Sequence, residues 1–166
     1  FLFSTSTFAT PITIILTRHA EKKTEKDPEL TADGKKRAET LTKLKNVFNI
    51  AHIYSSDTKR TIATVKPLAK DLDLKVDTSF EPKDYAGMVA DMTSKFAGQT
   101  VVVAGHSNTI PGFVNFLMGD SKQTEINEKD FTNLFIIQYD GPGKAQVLRF
   151  NQEAKGDKLS LAPRAL

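Results

Sequence analysis

Short apolar runs bounded by turn residues alternate along this 166-residue chain with longer stretches whose apolar positions recur at helical spacing. That alternation predicts βαβ units and a mostly parallel sheet. The first strand is expected over residues 12–16 and ends at Thr17-Arg18-His19. Thr31 reads as a helix cap, with Asp33 near the positive end of the helix dipole. Ala38, Leu41, Leu44, Val47 and Phe48 follow at helical spacing, so this helix buries one face. A short strand over 51–54 leads through the capping run Ser55-Ser56-Asp57 into a helix carrying Arg60, Ile62, Val65 and Leu68. Pro67 is expected to kink or shorten it. A short strand at 74–76, a loop over 78–87 and a helix over 88–96 come next. The unbroken run Thr100 to Ala104 suits a central strand buried on both faces. Gly105-His106-Ser107-Asn108 then turns into a helix with Pro111 in its first turn, a favoured place for proline. Two strands, 134–139 and 145–150, are joined by a hairpin-like turn at Asp140-Gly141-Pro142-Gly143. The polar tail after Asn151 predicts no element. The expected fold is one domain over residues 11–166, a three-layer α/β/α sandwich with a mostly parallel central sheet.

Composition narrows the chemistry. A chain of this length can bury a core without disulfides or a structural metal. Lysine and arginine number 23 against 20 aspartate and glutamate, a net charge of +3 that suits an anionic small substrate. No dense basic stripe interleaved with aromatics is present, so nucleic acid is not an expected partner. The absence of cysteine excludes disulfides, thiolate zinc sites and a cysteine nucleophile. Three histidines without an H-E-x-x-H pattern give no metal site, and no cofactor is implied. Residues 1–9 are uncharged, with Thr7 and Ala9 where a signal peptidase favours small residues. They read as the end of a secretory signal, with a mature chain beginning near Thr10 and export to the periplasm or beyond. The alternative is an N-terminal extension, residues 1–10, on a cytoplasmic protein. No other apolar run approaches the roughly 18 residues that a membrane span needs.

Candidate chemistry gathers where strands end, since open α/β sheets bind ligands at their carboxyl edges. The first strand delivers Arg18 and His19 to that edge, the central strand delivers His106, and Arg60 sits in the helix after Ser55-Ser56. Taken singly, each is most simply a surface turn or a solvated charge. Together they form a set with a logic. Arginine matches the oxygens of a transferring phosphoryl group with a planar charged fork. A neutral imidazole can attack phosphorus and carry the group covalently, and a second imidazole can donate to its oxygens. Lys22, Lys23 and Lys26 could steer anions, although such a run is more often a solvated loop. His52, within a strand, reads as structural. Gly105-His106-Ser107-Asn108-Thr109 lacks the closing glycine of a nucleophile elbow, which argues against a serine hydrolase.

Four segments carry a family resemblance. Leu16-Thr17-Arg18-His19-Ala20-Glu21 resembles the signature of the histidine phosphatase (phosphoglycerate mutase-like) superfamily. Leu30 to Ala38 resembles its L-T-x-x-G-x-x-Q-A segment, with Arg37 where glutamine is frequent. Tyr54 to Thr64 is similar to its second arginine motif, and Val103 to Asn108 to its second histidine motif. The resemblance implies a phosphohistidine on His19 and a phosphate pocket completed by Arg18, Arg60 and His106. It also implies a carboxylate that protonates the leaving group, for which Glu81 is the candidate and Asp84 the competitor, although some compact members lack such an acid. About two dozen residues separate Glu81 from His106, leaving little room for a capping insertion. An open site of that kind favours metal-independent hydrolysis of a phosphate monoester or a phosphorylated protein side chain. The alternatives are a mutase acting on a small metabolite and a non-catalytic phospholigand-binding module.

Overall fold

The computed structural model describes residues 10–155 and 158–166. The expected signal remnant at residues 1–9 lies outside them. Seven strands form one sheet: β1 (Ile12–Arg18), β2 (Ile50–Ser55), β3 (Val76–Asp77), β4 (Thr100–Gly105), β5 (Asn133–Tyr139), β6 (Ala145–Lys155) and β7 (Lys158–Arg164). Their order is β3-β2-β4-β1-β5-β6-β7. The half from β3 to β1 is parallel. The strands from β5 onward add an antiparallel meander, beginning with Ile14 opposite Ile137.

Period-two burial makes the layers. Ile12, Ile14 and Leu16 of β1 face one side, where they join Val101, Val103 and Phe113 in a buried cluster. Ile15 faces the other side with Ile53, Val102, Val65 and Leu68. Helices α3 (Tyr85–Lys95) and α4 (Ile110–Met118) cover the first face, and α1 (Ala32–Leu41) and α2 (Lys59–Asp71) the second. The result is the three-layer sandwich expected, with β4 and β1 at its centre and their carboxyl ends side by side. Among the described residues, no helix is long and apolar enough to cross a membrane.

Several local expectations change. The helix expected at 88–96 begins at Tyr85, because the Asp84 side chain accepts from the Gly87 amide at 3.0 Å and caps it. Pro67 lies inside α2 without ending it, and the helix runs on to Asp71. The short strand expected at 74–76 is displaced to Val76–Asp77. The tail after Asn151 is not featureless: β6 runs on to Lys155, and β7 pairs antiparallel with it from Arg149↔Arg164 to Lys155↔Lys158. Polar side chains and Pro163 hide β7 from a pattern reading, yet both are typical of an edge strand.

Candidate active site

His19 stands one residue beyond β1, and its amide donates to the Gly105 carbonyl at 2.9 Å, extending the β1–β4 ladder by one bond. The next amide, Ala20, donates to Thr64 Oγ1 of α2 at 2.9 Å. These two bonds fix the turn between the sheet and α2. A close approach behind it explains the glycine of the L-T-x-x-G segment. A Cβ on Gly34 would lie 2.1 Å from the Glu21 carbonyl oxygen, a collision with backbone. Thr31 accepts from the Gly34 amide as the helix cap, as its position predicts. Arg37, standing where the family often has glutamine, forks onto Glu21 at 2.9 Å and 2.5 Å and donates to the Gln152 carbonyl. That fork outweighs burial and holds the Glu21 carboxyl below the usual carboxylate range.

His106 leaves β4 in the same way. A Cβ on Gly105 would press on Ile110 and Thr109, so glycine lets α4 start close behind the strand. The His106 amide donates to Thr109 Oγ1, and its carbonyl accepts from the Ile110 amide. The two imidazoles meet edge to face with ring centroids 5.5 Å apart.

Hydrogen-bond chemistry fixes both tautomers. His19 Nδ1 lies 2.8 Å from the Ala20 carbonyl, which can only accept, so Nδ1 carries the proton and Nε2 holds the lone pair. His106 Nδ1 lies 3.3 Å from Arg60 Nη2, which can only donate, so the proton of neutral His106 sits on Nε2. That Nε2 donates to Ser56 Oγ at 2.7 Å, which in turn donates to Thr61 Oγ1 at 2.9 Å.

Arg60 is aimed from two sides. It occupies the first turn of α2, and its Nη1 lies 3.6 Å from Asp27 Oδ1. The same carboxylate oxygen accepts from the Lys59 amide at 3.0 Å. Asp27, from the loop after His19, thus supplies the helix capping expected of Ser55-Ser56-Asp57, while the Thr58 hydroxyl at the cap position bonds Thr61 Oγ1 rather than a helix amide.

A cleft of about 640 Å³ opens at this edge, walled by His19, Arg60, His106, Glu81, Ser107 and Glu128. Lys22 and Lys83 stand on its rim. Four of the five site residues expected from sequence therefore share one cavity. Arg18 does not share its wall. It is fully buried, with Phe131 4.3 Å from its guanidinium carbon. Its Nη1 donates to the carbonyls of Asn127 and Asp130, and its Nη2 to the carbonyl and Oε2 of Glu128. Asp84 is absent from the cleft wall and serves the cap of α3. His52 is structural, its Nε2 donating to the Asp77 carboxylate at 3.1 Å and its ring stacking on Phe96. Among the described residues, no group of three or more histidines and carboxylates is placed to hold a metal ion.

Burial pushes His19 down to about 4, aided by the positive charges of Arg18 and Arg60. His106 is likewise held at about 4, first by burial and then by Arg60 and Arg18. Both imidazoles are neutral at pH 7. If His19 attacks as the neutral base, the acid limb of kcat/KM should lie near pH 4 rather than near the ordinary histidine value of about 6.5. Stability follows with the same sign. Between about 6.5 and 4 the unfolded chain takes up protons that the folded chain refuses, so this contribution is whole above pH 6.5 and is lost as pH falls through about 4. Initial rates and urea midpoints measured from pH 3.5 to 8 check both statements, and an acid limb at 6.5 contradicts the first.

Residues 14–81 match the model of the histidine phosphatase superfamily (branch 1). Over that segment the chain is similar to the histidine phosphatase superfamily. No curated protein matches the chain significantly by sequence. Solved structures match by fold. The protein histidine phosphatase SixA complexed with tungstate superposes with a TM-score of 0.66 at 13% identity, covering 81% of this chain and 93% of that one. A phosphoglycerate mutase from Bacillus anthracis gives 0.65 at 16% identity, with 84% and 92% covered. A mutant phosphoserine phosphatase from Entamoeba histolytica, in complex with phosphoserine, gives 0.63 at 16%, with 82% and 94% covered. At such identities the likeness establishes the fold. The chain shares the fold of these three proteins, two phosphatases and a phosphoglycerate mutase.

Proposed function

We propose that this chain is a metal-independent phosphatase that hydrolyses phosphate monoesters or phosphorylated protein side chains through a phosphohistidine on His19. One observation carries the reading. His19 spends its Nδ1 proton on the Ala20 carbonyl, which leaves the Nε2 lone pair as the nucleophile in a cleft shared with Arg60 and His106. In the first step a bond forms from Nε2 to phosphorus while the bond from phosphorus to the leaving oxygen breaks. Glu81 gives that oxygen a proton. In the second step water attacks phosphorus, Glu81 takes back a proton, and inorganic phosphate leaves with His19 regenerated. Arg60 and the buried charge of Arg18 stabilise the equatorial oxygens. A phosphoryl dianion beside His106 favours its protonated form, which turns Nδ1 from an acceptor into a donor.

Mutase activity is the second reading. A mutase must shelter its phosphohistidine from water, and the short stretch between Glu81 and His106 is taken up by a capped turn, α3 and the central strand β4. The test is a panel of phosphorylated metabolites and phosphohistidine proteins, assayed with and without chelator. Free phosphate should appear at an unchanged rate in chelator. An isomer without free phosphate would select the mutase, and binding without either product would select a phospholigand module.

A further inference from the structure

All four Nη hydrogens of Arg18 have partners, while its buried Nε has none among the described residues. Both Nη1 hydrogens go to backbone carbonyls, of Asn127 and Asp130, and one Nη2 hydrogen goes to the Glu128 carbonyl. Three carbonyls from one loop thus grip the guanidinium permanently. The remaining Nη2 hydrogen points to Glu128 Oε2 at 3.0 Å. The other carboxylate oxygen, Oε1, accepts from Ser107 Oγ, one residue after His106. The loop backbone is docked independently, with the Ile126 amide on the Ser107 carbonyl and Ile126 itself buried. The Glu128 side chain is held only by these two bonds to its carboxylate. It is 74% exposed and forms part of the cleft wall.

This places a carboxylate on the donors that a bound oxyanion needs. Glu128 is held below the usual carboxylate range, first by the Ser107 hydroxyl and then by Arg18, so it is an anion and not a proton donor at neutral pH. We propose that Glu128 is a resident anion of the phosphoryl site, filling the Arg18–Ser107 end of the cleft, and that an incoming phosphoryl group must displace its side chain. The proposal rests on the reading that this cleft binds phosphoryl groups. Its consequence is selectivity for affinity. Each bound phosphoryl group competes with an internal carboxylate, which weakens retention of the product, inorganic phosphate. It also keeps a buried guanidinium paired between turnovers, since an unpaired buried charge is costly. The exposure of the side chain lets it swing into solvent with little packing lost, while the three carbonyls keep Arg18 in place.

The test measures the affinity of the full chain for inorganic phosphate and for orthovanadate, by calorimetry and by competitive inhibition. Glu128→Gln keeps an oxygen acceptor for Arg18 but removes the charge. It should tighten both oxyanions by about tenfold, since a charged competitor is replaced by a neutral one. Glu128→Asp, whose shorter chain cannot span Arg18 and Ser107 together, should tighten them by less, and it serves if the glutamine variant does not fold. Glu125→Gln removes a charge from the same wall without touching Arg18, and should change affinity at most about threefold if screening governs it. Unchanged or weaker oxyanion binding in both Glu128 variants, with the wild type still binding phosphate and releasing it from substrates, overturns the proposal and leaves the phosphatase reading standing. Equal tightening in Glu125→Gln overturns it as well, because the effect would then belong to net charge. Failure of the wild type to bind either oxyanion removes the phosphatase reading and this proposal with it.

Discussion

Replacing His19 with alanine is expected to lower turnover by roughly 10⁴-fold or more, the scale seen when an enzyme loses its covalent nucleophile. The change should spare the fold. His19 lies beyond the last residue of β1, and neither large apolar cluster includes it. Its backbone bond to Gly105 does not depend on the side chain. Circular dichroism and a urea midpoint would verify that the variant is folded. In the wild type, stopping turnover without acid should trap a phosphoryl group on His19 that is labile to acid and stable to base, as expected of a phosphoramidate. The tied Nδ1 specifies the position too: the phosphoryl group should sit on Nε2, which phosphorus-nitrogen coupling in NMR distinguishes. Turnover retained in His19→Ala, or a phosphoryl group mapped to Ser107, would refute the nucleophile assignment.

The second large effect concerns the leaving group. Glu81→Gln should slow hydrolysis of esters with poor leaving groups by roughly 10²–10⁴-fold, the usual contribution of a positioned general acid. An ester whose leaving group needs no proton should react nearly as fast as before. Asp84→Asn is the matched comparison. Asparagine caps a helix about as well as aspartate, so α3 should keep its N-terminus and both substrates their rates. Equal losses on both esters in Glu81→Gln would mean that Glu81 binds rather than protonates.

The parts of this molecule that could be read from its sequence are those fixed by local patterns. β1 and β4 are apolar on both faces because helices cover both, and this shows as unbroken runs such as Val101-Val102-Val103. A histidine just past such a run must fall on the carboxyl edge of the sheet, so His19 and His106 could be located without coordinates. Arg60 followed from its helix. What escaped depends on distant partners. The orientation of Arg18 is decided by carbonyls at residues 127–130, more than 100 positions away, and nothing in Asn127-Glu128-Lys129-Asp130 marks it as more than a polar loop. Arg37 looked like a departure from the family pattern, and its meaning became visible only with Glu21 and Gln152 beside it. Asp27 is similar, a loop acid by sequence and a cap for another element in space. β7 is hidden from a pattern reading because an edge strand needs few apolar residues.

The position of β1 has a consequence for how the chain comes into being. Its neighbours in the sheet are β4 and β5, both made well after it, whose residues Val102 and Ile136 pair with Ile15. During synthesis Ile12-Thr13-Ile14-Ile15-Leu16 must therefore wait, an unpaired apolar segment, until β4, which begins at Thr100, has been added. Pairings this remote in sequence form slowly and leave nascent edges open to association with other chains. Since His19 is anchored on that same ladder through Gly105, the nucleophile is assembled only when the centre of the sheet closes, and a chain interrupted before β4 carries the signature without the site.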